Sequence, residues 1–299
     1  MLLNDANMRI LFTGLNAALN KGLQQADTDY LEWCNVVNSG AMIEEYPIMM
    51  MTGSMREWVG ARVINSISGQ KLSVQNRDFE HTEEIDRNRI EDDQIGFFNI
   101  AFQEMGVQAG NLWAELATEA LCSPGNWADG KPFYGSRKFG KATVNNSMGN
   151  LPLSIANYEA ARARMMGFCG ADGKSLRLVP DTILVGPELE GTARMIFEAE
   201  LVNDGQNAAI SNIHRGECKI MVNTGITGPY AKYWFLVNTS RGVKPITVQK
   251  RKQGPLVRWD REDSPCVMDH NVNRYGLHYR GAAVAAMPHL VIGSFPAAE

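Results

Sequence analysis

The stretch from Ile95 to Cys122 limits this chain more than any other. Its apolar residues Ile95, Phe98, Phe102, Met105, Ala109, Leu112, Leu116 and Ala120 recur at steps of three and four, a spacing that gathers side chains on one face of a helix and on no strand. Glu91, Asp92 and Asp93 stand just before it, where negative charge meets unpaired N–H groups, and Pro124-Gly125 follows as a stop. At about 1.5 Å per residue such a helix runs roughly 40 Å, about twice the usual length. A rod of that size is a spine on which other pieces hang.

Those other pieces have ordinary globular composition. With 299 residues, 44% hydrophobic and 21% charged, the chain can bury a sizeable core and holds two domains, or one domain with large extensions. Lys plus Arg number 29 against 33 Asp plus Glu, a net charge of -4. That balance does not call for wrapping of nucleic acid by the whole surface and leaves room for a local basic face. Cys34, Cys122, Cys169, Cys218 and Cys266 are far apart and form no CxxC pair, which fits buried thiols in a reducing compartment and argues against a disulfide scaffold or a structural zinc. No signal leader and no apolar run of about 18 residues is visible, so neither secretion nor membrane spanning is expected.

Before the spine, Met1 to about Met55 carries Leu11, Leu15, Ala18 and Gly22 at the spacing of a short helix weakened by Gly14 and Gly22. Large apolar residues then recur without period, from Leu31 to the run Met49-Met50-Met51. Such a segment reads as an arm lying on another part of the molecule or on a neighbouring copy, or else as a helix and strand packed on the chain's own core. Ala61 to Ser68, the turn Ser68-Gly69-Gln70 and a returning strand from Lys71 to about Ile85 form a hairpin. It is too polar to stand alone, so it projects and rests on something else.

After the spine, Ser123 to Asn150 reads as a loop or second small hairpin, and Leu153 to Phe168 as a helix. Leu176 to Pro180 and Thr182 to Val185 are short strands. A helix from Leu189 to Ala199 follows Pro187, Asp204 to Asn207 is a loop, and further strands cover Cys218–Val222, Tyr233–Val237, Ile246–Gln249, Tyr275–Arg280 and Ala282–Met287. The fold class is α+β.

Candidate chemistry is sparse. Gly135 to Lys141 fits the phosphate-loop pattern GxxxxGK until Ala142, where a magnesium-binding hydroxyl belongs; no apolar strand enters it and no helix leaves it, so a solvated basic loop with Lys131, Arg137, Lys138 and Lys141 is the better reading. The acids Glu91 to Asp93 are explained by the helix start and do not converge as paired catalytic carboxylates must. His81, His214, His270, His278 and His289 show no ligand spacing. The basic stretch Lys244 to Arg261 is diluted by Asp260, Glu262 and Asp263 and suits a solvated edge or a subunit contact better than phosphate. No catalytic residue, cofactor or metal ligand is assigned.

The series Arg56-Glu57-Trp58-Val59-Gly60-x-Arg62, the hairpin ending at Phe79-Glu80, Arg87-x-x-Ile90-Glu91-Asp92-Asp93-x-x-Gly96 and Asp129-Gly130-Lys131-Pro132-Phe133-Tyr134 resembles the Mu-like phage major head subunit family. Leu178-Val179-Pro180-x-x-Ile183-Leu184-Val185, Trp234-Phe235-Leu236 and Pro245-Ile246 are similar to the outer half of many tailed-phage coat proteins.

The resemblance implies the HK97-like fold of tailed-phage major capsid proteins: an N-terminal arm (1–55), an extended loop (56–90), a peripheral domain with the spine helix (91–150), an axial domain (151–265) and a C-terminal return (266–299). It implies a structural protein and not an enzyme, self-assembling into hexamers and pentamers of an icosahedral head around double-stranded DNA. Scaffold, maturation protease, portal and decoration proteins are the implied partners, and the virion, assembled in the host cytoplasm, is the implied location. Intersubunit contacts are expected from Arg56, Trp58, Arg62, Lys71, Arg77, Glu80, Glu83, Arg87, Glu91, Asp92 and Lys138. The alternatives are a cellular encapsulating shell of the same fold and a nucleotide-binding enzyme using Gly135 to Lys141.

Overall fold

In the computed structural model the spine helix is present with the expected bounds, Ile95–Cys122. The structure describes residues 4–47, 71–92, 95–203 and 209–297. Its elements are α1 (Asp5–Leu23), β1 (Cys34–Asn38), β2 (Ile43–Pro47), β3 (Lys71–Gln75), β4 (Arg77–Asp86), α2 (Arg87–Glu91), α3 (Ile95–Cys122), β5 (Ser136–Phe139), β6 (Ala142–Asn145), α4 (Ile155–Met166), β7 (Thr182–Val185), α5 (Glu190–Phe197), β8 (Leu201–Asn203), β9 (Ala209–Ser211), β10 (Lys219–Val222), β11 (Trp234–Val237), β12 (Ile246–Gln253), β13 (Val257–Trp259), α6 (Pro265–His270), β14 (Val272–Ala285) and β15 (Val291–Ser294).

On α3 the expected stripe residues Phe98, Phe102, Met105, Leu116 and Ala120 are buried, and Ala109 and Leu112 are half-buried. Trp113, Ala117 and Leu121 are buried too, because the C-terminal half of the rod is covered from more than one side. Along the N-terminal half lies α1, longer than the expected short helix and capped by Asn4, whose side-chain oxygen accepts the Asn7 N–H at 2.8 Å. Its buried residues Met8, Leu11, Leu15 and Leu19 face the core. Gly22, read from sequence as a weakness, is where the two helices touch: a Cβ there would lie 1.8 Å from the Gln103 carbonyl oxygen, and one at Gly106 would lie 2.2 Å from that of Leu19. The N-terminal helix and strand therefore pack on the chain's own core.

A five-stranded sheet lies against the same helices, in the order β1-β12-β14-β13 with β4 also paired to β14. β14 is one strand of 14 residues where two short ones were expected. Gly281, between the two expected strands, lets the Trp113 indole lie on β14, since a Cβ would come within 2.5 Å of that ring. Trp113 stacks on Tyr279 at 6.1 Å, and Phe102 meets Tyr275 edge-on at 5.5 Å.

The second sheet is four-stranded, β10-β7-β11-β15, with every residue of β7, β11 and β15 buried. Pro187 opens a short 3-10 turn that leads into α5, as its position suggested, while Leu176–Pro180 forms no strand. α3 joins the two sheets: the Thr118 hydroxyl accepts from Asn223 Nδ2 at 2.8 Å on the four-stranded side, and Trp113 covers β14 on the other. The loop expected over Asp204 to Asn207 lies outside the described residues.

Candidate functional site

The polar ribbon is the first place to look for function, and its described part differs from a lone hairpin. The expected returning strand is broken at Asn76, so that β3 pairs with β2 and β4 pairs with β14 over Arg77–Asp86. Asn76 is buried: its Nδ2 donates to Ser39 Oγ (2.9 Å) and the Ala41 carbonyl (2.8 Å), and its Oδ1 accepts from Gln249 Nε2 (2.7 Å). That junction fixes the ribbon's base to the sheet, because a buried amide holds its partners at the cost of desolvation if any is lost.

Along β4 the two faces separate cleanly. Asp78, Glu80, Thr82, Glu84 and Asp86 are exposed, whereas Phe79, His81 and Glu83 are half-buried and Ile85 is buried. Across the exposed face, acids of β4 meet bases of β14: Glu84 with Arg274 at 2.6 Å, and Asp78 with Arg280 at 2.6 Å and His278 at 3.1 Å. On the inner side a groove of about 290 Å³ opens between β4 and α3. Phe79, Ala109, Leu112, Leu277 and Tyr279 line it, with Glu80 and Glu115 among its polar residues.

Ser136–Phe139 and Ala142–Asn145 form an antiparallel hairpin, so the stretch that imitates a phosphate loop has neither the strand–loop–helix frame nor converging N–H groups. Gly140 sits in its turn at φ 54°, where a Cβ would lie 2.5 Å from the Ala171 carbonyl oxygen. Arg137, one of the four basic residues of this loop, is structural. It is buried, donates to the carbonyls of Phe133 (2.8 Å) and Pro132 (2.7 Å), pairs with Asp129 at 3.3 Å and covers the Trp127 ring. Lys131, Lys138 and Lys141 are exposed.

The densest titratable cluster lies elsewhere. His214 is buried with Nδ1 2.9 Å from Glu217 and Nε2 2.9 Å from Glu159, and the Tyr158 hydroxyl donates to Glu217 at 2.9 Å. Burial pushes the neighbouring Cys218 thiol up to about 11, so it is protonated at neutral pH and unsuited to nucleophilic work. Glu217 is held below the ordinary carboxylate range: burial opposes this, and hydrogen bonds from His214 and Tyr158 with the Arg162 charge outweigh it. These contacts tie α4 to the chain entering β10. Among the described residues no group of three His, Cys, Asp or Glu is spaced to hold a metal, and no helix is long and apolar enough to cross a membrane.

The expected contact residues scatter over these features. Arg56, Trp58 and Arg62 lie outside the described residues, as do Asp93 and the turn Ser68-Gly69-Gln70. Lys71 opens β3 and pairs with Glu45 at 2.5 Å, Arg77 pairs with Glu119 of the spine at 2.6 Å, and Glu83 meets His81 at 3.1 Å. Arg87 is 8% exposed, with its Nη2 4.0 Å from the carboxylate of exposed Glu262. Glu91 ends α2 and Asp92 caps it, so these acids belong to a short helix missed in sequence as well as to the approach to α3. Glu80 and Lys138 remain fully outward. Sequence reading missed Glu115, whose exposed position on α3 becomes notable only once β4 is beside it.

The chain matches the family described as Mu-like prophage major head subunit gpT over residues 8–150, 143–226 and 223–296. It is 31% identical over 138 residues to the major capsid protein of Escherichia phage Mu, a stretch of 45% of this chain and 45% of that protein. It is 25% identical over 294 residues to the Mu-like prophage FluMu major head subunit of Haemophilus influenzae, covering 97% of this chain and 74% of the relative. Its fold is similar to that in the procapsid of bacteriophage JBD30, with TM-score 0.59 at 21% identity over 99% of this chain and 77% of the other. A virus-like particle from Pyrococcus furiosus gives TM-score 0.50 at 12% identity, covering 95% and 98%. The fold is thus the HK97-like α+β fold of tailed-phage capsid proteins.

Proposed function

The chain belongs to the Mu-like prophage major head subunit gpT family, and from that premise we propose that it is the major head protein whose copies form hexamers and pentamers of a closed shell. The observation that carries this reading is the family match running from residue 8 to residue 296. The molecule suits the role. One helix bridges two sheets, the ribbon base is pinned by Asn76, and titratable clusters such as His214–Glu217 are spent on internal ties. A net charge of -4 suits a lining that encloses DNA without gripping it, because dense basic charge would hold phosphates tightly. Packaged double-stranded DNA, a scaffold, a maturation protease, a portal and a decoration protein are the partners of that role, with the virion as its place and the host cytoplasm as the site of assembly. A non-enzymatic role goes with it.

A second reading, a cellular encapsulating shell, draws on the likeness to the Pyrococcus furiosus particle; it differs in enclosing a protein cargo in place of DNA. Sedimentation velocity of the full chain, expressed alone and with scaffold, tests the shell reading. Species far larger than one chain support it. A strictly monomeric protein under every condition, with ATP hydrolysis abolished by Lys141→Ala, contradicts it in favour of the enzyme.

A further inference from the structure

Lys250 belongs to the basic stretch Lys244 to Arg261 but is half-buried, unlike a cation on a solvated edge. It stands on β12 opposite Gly281 of β14, on the sheet face where Gly281 makes room for the Trp113 ring. Its ammonium therefore lies over that indole, 4.9 Å from the ring centre, and donates to the Tyr30 hydroxyl at 3.0 Å. The indole face offsets part of the lost hydration, and Tyr30 takes one of the three N–H donors. No carboxylate stands at ion-pair distance from Lys250 among the described residues, and burial lowers its pKa with no neighbouring charge opposing the shift. A desolvated ammonium with donors to spare is a seat for an anion.

That seat lines a cavity of about 530 Å³ shared by α1, the chain leading to β1, α3 and the connection from β12 to β13, within the size range of small-molecule sites. We propose that this cavity binds a small organic carboxylate, its charged end on the Lys250 ammonium and its carbon skeleton against Leu23 and Pro255. Leu23 is half-buried and Pro255 exposed in the lining, so apolar surface remains there for a ligand to cover. The side-chain amides of Asn16, Asn20 and Gln253 line the same cavity and supply donors for the second carboxylate oxygen. Charge selects a monoanion. One ammonium balances one negative charge, and Asp27, exposed in the same lining, repels a second. The site rests on this geometry alone and not on the shell reading.

Saturation-transfer NMR of the dispersed full chain tests it, with benzoate as the probe, benzamide as its neutral counterpart of the same shape, and inorganic phosphate as a competitor. Benzoate binds saturably, and benzamide binds about tenfold more weakly or worse, because it lacks the charge that Lys250 meets. Phosphate displaces benzoate no better than chloride at equal ionic strength. Lys250→Met keeps an apolar stem over Trp113 and removes the ammonium; it weakens benzoate about tenfold or more, whereas Lys138→Met, at an exposed lysine outside the cavity lining, leaves the affinity unchanged. Near-ultraviolet circular dichroism checks that both variants keep the fold, and the comparison of benzoate with benzamide decides on wild-type protein alone if Lys250→Met does not. No saturable benzoate signal, equal affinities for benzoate and benzamide, or full affinity in folded Lys250→Met overturns the site. Phosphate that displaces benzoate at matching concentration overturns the choice of a monoanion. Each of these failures leaves the shell reading standing.

Discussion

His289 gives this fold a built-in sensitivity to acid. Its ring is 4% exposed in the turn Pro288–Leu290, sits 4.5 Å from the Phe139 ring and near Phe168, and its Nδ1 is buried without a hydrogen-bond partner. Burial, then the nearby Arg137 charge, lowers its pKa from 6.5 to about 4. In the unfolded chain the imidazole protonates near its ordinary value, so between pH 6.5 and about 4 the unfolded state binds more protons and stability falls as pH falls. The contribution is complete above that window and gone below it. At roughly 1.4 kcal/mol per pH unit the loss amounts to about 3 kcal/mol, a large share of a typical domain's stability. Urea unfolding of the dispersed full chain from pH 7.5 to 4 measures it. His289→Leu, similar in volume and without the orphaned nitrogen, should hold stability within about 1.5 kcal/mol at pH 7.5 and flatten the acid slope by about 3 kcal/mol. Carboxylates such as Glu217 titrate in both proteins and cancel in the difference. Equal slopes for the two proteins would refute the assignment.

Three further substitutions probe the frame. Gly22→Ala, whose Cβ would fall 1.8 Å from the Gln103 carbonyl oxygen, should cost about 1–3 kcal/mol in chemical unfolding, whereas Gly14→Ala, with 3.9 Å of room, should be neutral or gain up to about 1 kcal/mol. Asn76→Ala leaves Gln249 and Ser39 short of a partner and should lower stability by about 2–4 kcal/mol, with hydrogen exchange rising first in β3 and β4. Arg137→Ala strands Asp129 and two carbonyls and should cost about 3–5 kcal/mol, against about 0.5 kcal/mol or less for exposed Lys138→Ala, both read from thermal unfolding.

Local pattern carried the sequence reading a long way where the cause was local. The α3 stripe, the Pro187 helix start and the apolar runs of β7 and β11 each hold their own signal, and α3 was bounded to the residue. What was hidden depends on partners distant in sequence. Gly22 looks like a weak point until the Gln103 backbone that needs its missing Cβ is in place. The polar strand β4 looks unsupported until Glu84 meets Arg274, 190 positions away. Arg137 reads as one of four solvated cations because nothing nearby in sequence shows that Asp129 and two carbonyls will enclose it. The groove is illegible for the same reason: Phe79 and Leu112 belong to different elements, and only the tertiary fold sets them along one channel.

Electron microscopy of the purified full chain tests the shell assignment most directly. Rings, tubes or closed shells whose subunits carry this fold, with six- and five-fold groupings in the closed form, are the predicted result. Single, separate copies at every concentration, salt and pH, with or without scaffold, would contradict it.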